Sequence, residues 1–230
     1  CQDAFLLKRL IKGIARKHNM SATFMAKPFM NVAGNGLHIH LSLYDKNDQN
    51  IFSDVTSSSI PAVSNQLIHA IGGLSELMGE SMAVFAPNAN SYRRLIPGNF
   101  APLTPNWGYN HRDVALRIPV SDSNNMRIEH RVAGADANPY LAIAATLAAI
   151  WLGLQEKRRP SRPLKDSGED LETLPKNLDM ALDALEKASP LHDVLGEDFV
   201  KLFTEVKRAE ADAFLEVISP WEREYLLLNV

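Results

Sequence analysis

A stretch of the chain, residues 81–140, contains arginine but no lysine, although the two residue types occur in similar numbers over the whole sequence. Arginine presents a planar, permanently charged guanidinium that can hold a carboxylate or phosphate through two parallel hydrogen bonds, which lysine cannot do. The segregation therefore favours a pocket for a polyanion, such as the phosphates of a nucleotide together with a carboxylate substrate. A solvated charged surface is the alternative. The arginines concerned are Arg93, Arg94, Arg112, Arg117, Arg127 and Arg131.

The segment MRIEHRV, residues 126–132, alternates with the period of a β-strand. In an extended conformation, Arg127, Glu129 and Arg131 share one face, and the opposite face is mostly apolar. Two cations flanking a carboxylate can form a salt-bridge ladder, which is worth little on a surface. Alternatively, the carboxylate holds a metal ion while the arginines hold anionic groups of a substrate.

Two histidines, His38 and His40, share the polar face of a second alternating segment, residues 37–45, and Ser42 continues that face. Histidines at positions i and i+2 can bind a metal, although ordinary polar-face histidines give the same pattern. The preceding residues 34–36, Gly-Asn-Gly, would let backbone N–H groups approach a ligand closely. A tight turn explains these glycines equally well.

Composition and charge exclude several classes of protein. Of the 230 residues, 46% are hydrophobic and 22% are charged, as in ordinary globular proteins. The net charge of −3 and the pI of about 6.2 argue against nonspecific binding to nucleic acid or to an anionic membrane. The single cysteine, Cys1, excludes an intramolecular disulfide and fits a reducing compartment. Because the apolar run 141–154 is too short to cross a bilayer and no signal-peptide pattern is visible, we expect a cytoplasmic location.

Hydrophobic periodicity predicts helices and short strands that would position these side chains. Asn138 and Pro139 form an N-cap and first-position pair at the start of one helix, and Pro220 is expected to end the last one. The region 85–110 is rich in Asn, Pro and Gly and predicts a long irregular segment, a kind that often carries function. Helices are predicted over 3–18, 61–78, 140–157, 178–187 and 196–217, and strands over 22–27, 37–45, 114–120 and 126–132.

Five segments follow one another along the chain: FMAKP, AGNGLHIHLSL, NSYRRLIPG, RDVALRIPV, and MRIEHR with ANPYLAIAATLAA. In this order, and together with the endings EVKRAEADAF and SPWERE, they resemble the C-terminal part of the glutamine synthetase catalytic domain. The resemblance covers essentially all 230 residues. It implies an α+β fold in which antiparallel strands form part of a curved catalytic sheet, with helices packed outside. It also implies an ATP-dependent ligase that joins the γ-carboxylate of glutamate to a nitrogen nucleophile through an acyl phosphate.

The resemblance also implies roles for single residues on the nucleotide side of the site. His38 and Glu129 match the family's ligands of the ATP-side metal, which is Mg²⁺ or Mn²⁺. Imidazole and carboxylate donors suit those ions. His40 and Ser42 match residues near the nucleotide, and Arg127 matches a nucleotide-side arginine.

Five further positions match the family's contacts to glutamate and to the transferring phosphate. Arg94 and Arg131 match the arginines that bind the carboxylate of glutamate, and Gly34 falls where the backbone contacts that substrate. Arg112 and Arg117 match the arginines that face the transferring phosphate. Phosphoryl transfer depends chiefly on positioning and charge neutralisation, so a cluster of arginines is expected in such a site.

Two departures from the family pattern concern substrate choice. Phe100 stands where glutamine synthetases proper carry a glutamate that closes the site and takes up the ammonium proton. An aromatic ring cannot accept a proton. We therefore expect a relative that ligates a larger amine, as γ-glutamylpolyamine and γ-glutamylputrescine synthetases do. Ala33 replaces an asparagine of the glutamate-binding loop, which removes one side-chain contact.

A third departure from the family pattern concerns how much of the family's sequence residues 1–230 cover. The family's other metal-ligating glutamates and its small N-terminal β-grasp domain have no counterpart in residues 1–230, which we interpret as the C-terminal portion of a catalytic domain. We expect the isolated chain to have little or no ligase activity. The resemblance further implies a homo-oligomer, a dodecamer of two stacked hexameric rings. Glutamine synthesis from ammonia and a noncatalytic family member are the alternative functions, and nucleic-acid binding is disfavoured by the charge balance.

Overall fold

The computed structural model describes residues 1–54, 56, 62–98, 101–164 and 172–230. Within these residues, helices pack around one small sheet, as the α+β prediction requires. The strands are β1 (Ile39–Leu41), β2 (Trp107–Tyr109), β3 (Leu116–Ile118) and β4 (Ile128–His130). The helices are α1 (Gln2–Lys17), α2 (Asn65–Glu76), α3 (Met82–Phe85), α4 (Pro139–Gln155), α5 (Leu178–Lys187), α6 (Ser189–Leu195), α7 (Glu197–Leu215) and α8 (Pro220–Leu226).

The sheet has the order β1-β4-β3-β2. Strand β4 pairs antiparallel with both β1 and β3, as predicted, whereas β2 pairs parallel with β3. The loop 110–115 between β2 and β3 starts at Asn110, which has a left-handed φ of 50°. The register places Glu129 opposite His40 on one side and opposite Arg117 on the other. Directly paired residues of antiparallel strands project to the same face, so these three side chains lie on one side of the sheet.

The other face of the sheet forms part of the hydrophobic core. Ile128, His130 and Val132 are fully buried, which confirms the two faces predicted for residues 126–132. The His130 ring packs on Phe85, with 4.5 Å between ring centroids. Burial lowers the pKa of His130 to about 3, so this imidazole is neutral at pH 7 and belongs to the core.

Helices α2 and α4 cross at very close range, and glycine makes the approach possible. A Cβ placed on Gly73 would lie 2.0 Å from the carbonyl oxygen of Ala149, and one on Gly153 would lie 2.3 Å from that of His69. Both helices begin with a capped turn. The side chain of Ser64 accepts a hydrogen bond from the backbone of α2, and Asn138 does so for α4, as its sequence predicted.

Several predicted elements differ from the structure. No strand forms over 22–27, because the backbone of Lys27 bonds the Asn90 side chain instead of a neighbouring strand. The other three predicted strands are shorter than expected, and β2 arises in the region predicted to be irregular. Pro220 begins α8 instead of ending a helix, since Ser219 and Glu222 form a capping box around it. The first residue of the helix predicted over 61–78 lies outside the described residues, and α2 begins at Asn65.

Helix α1 matches the prediction over 3–18, but its apolar side is not buried. None of its residues is buried, and Leu6, Leu10 and Ile14 are each about half exposed. A hydrogen bond of 3.1 Å from Lys8 Nζ to the carbonyl oxygen of Ala137 ties the helix to the start of α4. Among the described helices, none has the length and apolar character needed to cross a membrane.

The crossing of α2 and α4 yields a stability prediction. Gly153→Ala forces a methyl group against the backbone of α2, so we expect the free energy of unfolding to fall by about 3 kcal/mol. Gly13→Ala in α1 is the matched control, because a Cβ there meets no atom within 4 Å. We expect that variant to be neutral or more stable by up to about 1 kcal/mol. Urea unfolding followed by circular dichroism measures both, and equal effects of the two substitutions would contradict the close crossing.

Candidate active site

The carboxylate of Glu129 is the meeting point of three side chains from three different segments. Glu129 is only 3% exposed. Its Oε2 accepts a hydrogen bond of 2.7 Å from Nη1 of Arg117 on β3, and its Oε1 accepts one of 2.6 Å from Nη1 of Arg131. His38, just before β1, places Nδ1 3.1 Å from the same Oε1. The predicted clustering of His38, Glu129, Arg117 and Arg131 is therefore present.

The protonation states of this cluster follow from its surroundings. Burial alone would raise the pKa of Glu129, but the hydrogen bonds from Arg117 and Arg131 outweigh burial and lower that pKa. Glu129 is therefore ionised at neutral pH. Burial, followed by the positive charge of Arg131, lowers the pKa of His38. His38 is thus a neutral imidazole at neutral pH, which is the form that can bind a metal ion.

Arg117 is held at both ends of its guanidinium. While Nη1 bonds Glu129, Nη2 donates a hydrogen bond of 2.6 Å to the side-chain oxygen of Asn110. The Nε atoms of Arg117 and Arg131 are buried and have no hydrogen-bond partner within the described residues. Both arginines are therefore fixed in place and retain donor capacity that the described part of the chain does not use.

The residues predicted to lie near the nucleotide line the same sheet face. Arg127 Nε donates to Nδ1 of His40 at 3.3 Å, and Arg127 Nη1 donates to the carbonyl oxygen of Asn125 at 3.0 Å. Ser42 donates its hydroxyl proton to the carbonyl oxygen of Met126 at 3.0 Å. His40 is exposed, so this end of the face is open to solvent.

The predicted glutamate-binding residues Arg94 and Gly34 are in contact. Arg94 is 6% exposed, and its Nη2 donates a hydrogen bond of 2.5 Å to the carbonyl oxygen of Val132, next to Arg131. A Cβ on Gly34 would lie 2.9 Å from Cγ of Arg94 and 2.9 Å from the carbonyl oxygen of Ala26. Only glycine leaves room for the loop to pass over the arginine at this point.

Two predicted site residues are not joined to this cluster. Arg112 is exposed in the loop after β2 and makes no hydrogen bond or ion pair to any described residue. Phe100, the predicted amine-site residue, lies outside the described residues, as does Asn99 before it.

His38 and Glu129 fit two ligands of one divalent ion. Two adjacent ligands of an octahedral Mg²⁺ or Mn²⁺ ion lie about 3 Å apart, and the Nδ1–Oε1 separation is 3.1 Å. A third ligand is not found nearby, since no group of three or more His, Cys, Asp or Glu side chains within the described residues could hold a metal ion. Within the described residues, the pair alone is therefore too small a set of ligands to hold a metal ion.

Sequence reasoning missed two polar residues beside the site arginines, Asn110 and Asp136. Asn110 follows β2 and binds Arg117. Asn tolerates the left-handed φ of 50° found there, but that φ is visible only in the structure. Asp136 accepts hydrogen bonds from Asn88 and Ser91, which lie 48 and 45 residues earlier in the chain. No local pattern reveals contacts over such separations.

Comparison with known proteins identifies the family of the chain. A family model described as the glutamine synthetase catalytic domain matches residues 1–226. The chain belongs to the glutamine synthetase family. The resemblance inferred from the five sequence segments is thereby confirmed.

Two curated relatives and two solved structures give the scale of the similarity. The γ-glutamylputrescine synthetase PuuA of Escherichia coli is 42% identical over all of this chain and 48% of its own length. The glutamine synthetase of Pyrococcus abyssi is 38% identical over 92% of this chain and 49% of its own length. A solved structure of GmaS in complex with ADP superposes with a TM-score of 0.88 at 34% identity, over 98% of this chain and 53% of that one. A second GmaS structure, without ligand, gives a TM-score of 0.86 at 35% identity. The chain thus spans about half the length of the curated relatives it matches, and its α+β fold is that of the family.

The cluster around Glu129 yields a second prediction. Glu129→Ala leaves Arg117 and Arg131 facing each other without their shared carboxylate. Removing one partner of a buried ion pair is strongly destabilising, so we expect a loss of about 3 kcal/mol in the free energy of unfolding.

Glu186→Ala is the matched control, since that carboxylate also accepts a hydrogen bond of 2.7 Å from an arginine, Arg208, but on the surface. We expect it to cost less than about 1 kcal/mol. Urea unfolding of the two variants provides the measurement, and a Glu129→Ala loss no larger than the control would contradict the described geometry.

Proposed function

We propose that this chain is part of an ATP-dependent carbon–nitrogen ligase that joins the γ-carboxylate of glutamate to an amine through a γ-glutamyl phosphate intermediate. The observation that carries the proposal is the convergence of His38, Arg117 and Arg131 on the buried carboxylate of Glu129. Arg94 and the Gly34 loop lie beside this cluster, since Arg94 bonds the backbone next to Arg131. Family membership supports the same reaction.

Glutamate binding is assigned to Arg94, Arg131 and the Gly34 loop. Guanidinium groups hold carboxylates in a defined orientation. Arg131 is fixed by Glu129 before any substrate arrives, so little conformational entropy is lost when it binds an anion. The backbone at Gly34 approaches Arg94 closely enough for one carboxylate to contact both.

Phosphoryl transfer is assigned to the side facing Arg117 and Arg112. An oxygen of the glutamate γ-carboxylate attacks the γ-phosphorus of ATP, and the bond to ADP breaks. Arg117, held by Glu129 and Asn110, stabilises the negative charge on the transferring phosphoryl group. Arg112 is exposed and would have to turn inward to do the same. A Mg²⁺ or Mn²⁺ ion held by His38 and Glu129, when bound, would neutralise charge on the phosphates. His40, Ser42 and Arg127 lie where they can contact the nucleotide.

The second step forms the amide bond. The amine nitrogen attacks the acyl carbon of γ-glutamyl phosphate, inorganic phosphate leaves, and the nitrogen gives up a proton. Phe100 offers no basic group for ammonium, which favours a larger amine as the nucleophile. The 42% identity to a γ-glutamylputrescine synthetase supports a polyamine. Ammonia is the second candidate, because the matched glutamine synthetases reach 38% identity.

Two features of organisation belong to the same proposal. The relatives are about twice as long as this chain, so residues 1–230 would form the C-terminal portion of the catalytic domain. Further metal ligands would come from the other portion, in agreement with the incomplete pair His38 and Glu129. Assembly into a homo-oligomer, a dodecamer by family resemblance, stays a prediction.

Phosphate release by the full-length protein tests the proposal. We expect release that needs ATP, glutamate and an amine together, that proceeds faster with putrescine than with ammonium, and that is lost when Mg²⁺ or Mn²⁺ is chelated. The isolated 230-residue chain should give almost none.

His38→Ala should lower turnover by about a hundredfold or more, since a metal ligand is lost. His18→Ala, an exposed histidine at the end of α1, should not change it.

Each outcome selects one function. Faster release with ammonium would replace the polyamine ligase by a glutamine synthetase. A full-length protein that binds ADP in calorimetry but releases no phosphate with any amine would be a noncatalytic family member. Robust turnover by the isolated chain would contradict the two-ligand description of the metal site.

A further inference from the structure

Asp136, between β4 and α4, is the centre of a polar network that the proposed reaction does not use directly. One carboxylate oxygen, Oδ2, accepts two hydrogen bonds, from Nδ2 of Asn88 at 2.9 Å and from Oγ of Ser91 at 2.5 Å. Asn88 and Ser91 also cap each other, because the backbone N–H of Asn88 donates to Oγ of Ser91 at 3.1 Å. The carboxylate therefore fastens both ends of the turn 88–91.

The backbone around Asp136 is shaped to receive this carboxylate. A Cβ on Gly134 would lie 2.2 Å from Oδ1 of Asp136, so no larger residue fits at position 134 while the carboxylate keeps its place. Oδ1 is buried and has no hydrogen-bond partner within the described residues. A buried carboxylate oxygen without a hydrogen-bond partner costs free energy unless a nearby positive charge compensates it.

The turn held by Asp136 leads directly into Arg94. The backbone N–H of Arg94 donates to the carbonyl oxygen of Ser91 at 3.2 Å. Asn90, in the same turn, binds both backbone groups of Lys27 at 2.9 Å each. These two hydrogen bonds fix the start of the loop that carries Gly34. This one network thus positions both Arg94 and the Gly34 loop, the two contacting parts of the candidate glutamate site.

The negative charge of Asp136 also stabilises the charged form of Arg94. Burial lowers the pKa of the Arg94 guanidinium, and the negative charge of Asp136 opposes that effect. Asp136 also counteracts the lowering, by burial, of the pKa of Lys8 on α1. The half-buried carboxylate therefore compensates the buried guanidinium without forming a direct ion pair with it.

We propose that Asp136 is a positioning residue for the glutamate site, which it controls by holding Asn88 and Ser91 and thereby setting Arg94 against the Gly34 loop. The identity of the ligand rests on the function proposed above, whereas the control of Arg94 does not.

Three variants separate the contributions. Asp136→Ala removes both accepted hydrogen bonds and the charge. Asp136→Asn removes the charge but keeps an amide oxygen that can still accept from Asn88 and Ser91, so it is the conservative rescue. Asp45→Ala is the matched control, because one oxygen of that carboxylate, Oδ1, also accepts two hydrogen bonds, from the backbone of Asn47 and Gln49, in a turn outside the candidate site.

The first readout needs no catalysis. Phenylglyoxal modification of the 230-residue chain, mapped by mass spectrometry, reports the accessibility of each arginine. Arg94 should be protected in the wild type and in Asp45→Ala. It should react about tenfold faster in Asp136→Ala, because loss of the two hydrogen bonds to Asp136 shifts the equilibrium between the held and the released turn by about that factor. In Asp136→Asn, Arg94 should be largely protected again. Arg112, which is exposed throughout, serves as the internal reference.

The second readout is the kinetics of the full-length protein. Asp136→Ala should raise the KM for glutamate about tenfold or more while the KM for ATP stays within about twofold, since only the glutamate contacts are disturbed. A general structural defect would raise both constants together, and that result would overturn the proposal.

The two measurements test the control of Arg94 and the proposed function separately. Unchanged protection of Arg94 in Asp136→Ala overturns the control of Arg94, whatever the protein catalyses. A wild-type protein without glutamate-dependent phosphate release overturns the proposed function, and the protection experiment still decides whether Asp136 holds Arg94. An Arg94 that is released without any change in the KM for glutamate refutes the link between this network and substrate binding.

Discussion

A buried carboxylate that binds two guanidiniums and an imidazole at once is the interaction on which the candidate site depends. Glu129 supplies that carboxylate, and its partners arrive from β3, from the end of β4 and from the start of β1. Without the two arginines, a carboxylate at this depth would tend to take up a proton. Without the carboxylate, the arginines would repel each other. The cluster is therefore charged and fixed before any ligand binds, which suits phosphoryl transfer.

The cluster in turn depends on the register of a very small sheet. Glu129 faces His40 on one neighbouring strand and Arg117 on the other, and a shift by one residue would send its side chain into the core. The opposite face resists such a shift, because Ile128 and His130 are completely buried there. The close crossing of α2 and α4 lies beside that core. Packing on one face of β4 thus determines electrostatics on the other.

The sequence predicted the parts of this arrangement that follow from local alternation or from the family motifs. The two faces of residues 126–132 are confirmed. His38, Glu129, Arg117 and Arg131, which the family resemblance assigns to one site, lie together. The parallel strand β2, the contact of Asn110 with Arg117 and the network of Asp136 were not predicted, because each depends on residues brought together only by the fold. Arg112 belongs to the same arginine-rich region but lies in an exposed loop, so its predicted contact with the transferring phosphate stays a prediction.

The pKa of Glu129 tests the central claim most directly. Selective ¹³C labelling of glutamate carboxyl groups, with Glu129→Gln to assign the resonance, would follow its titration by NMR in the metal-free chain. The hydrogen bonds from Arg117 and Arg131 predict a pKa below the ordinary value of about 4.3 for glutamate. A carboxyl group that titrates at or above that value would show that burial prevails over the guanidinium contacts, and the description of the site as a preorganised charged cluster would be wrong.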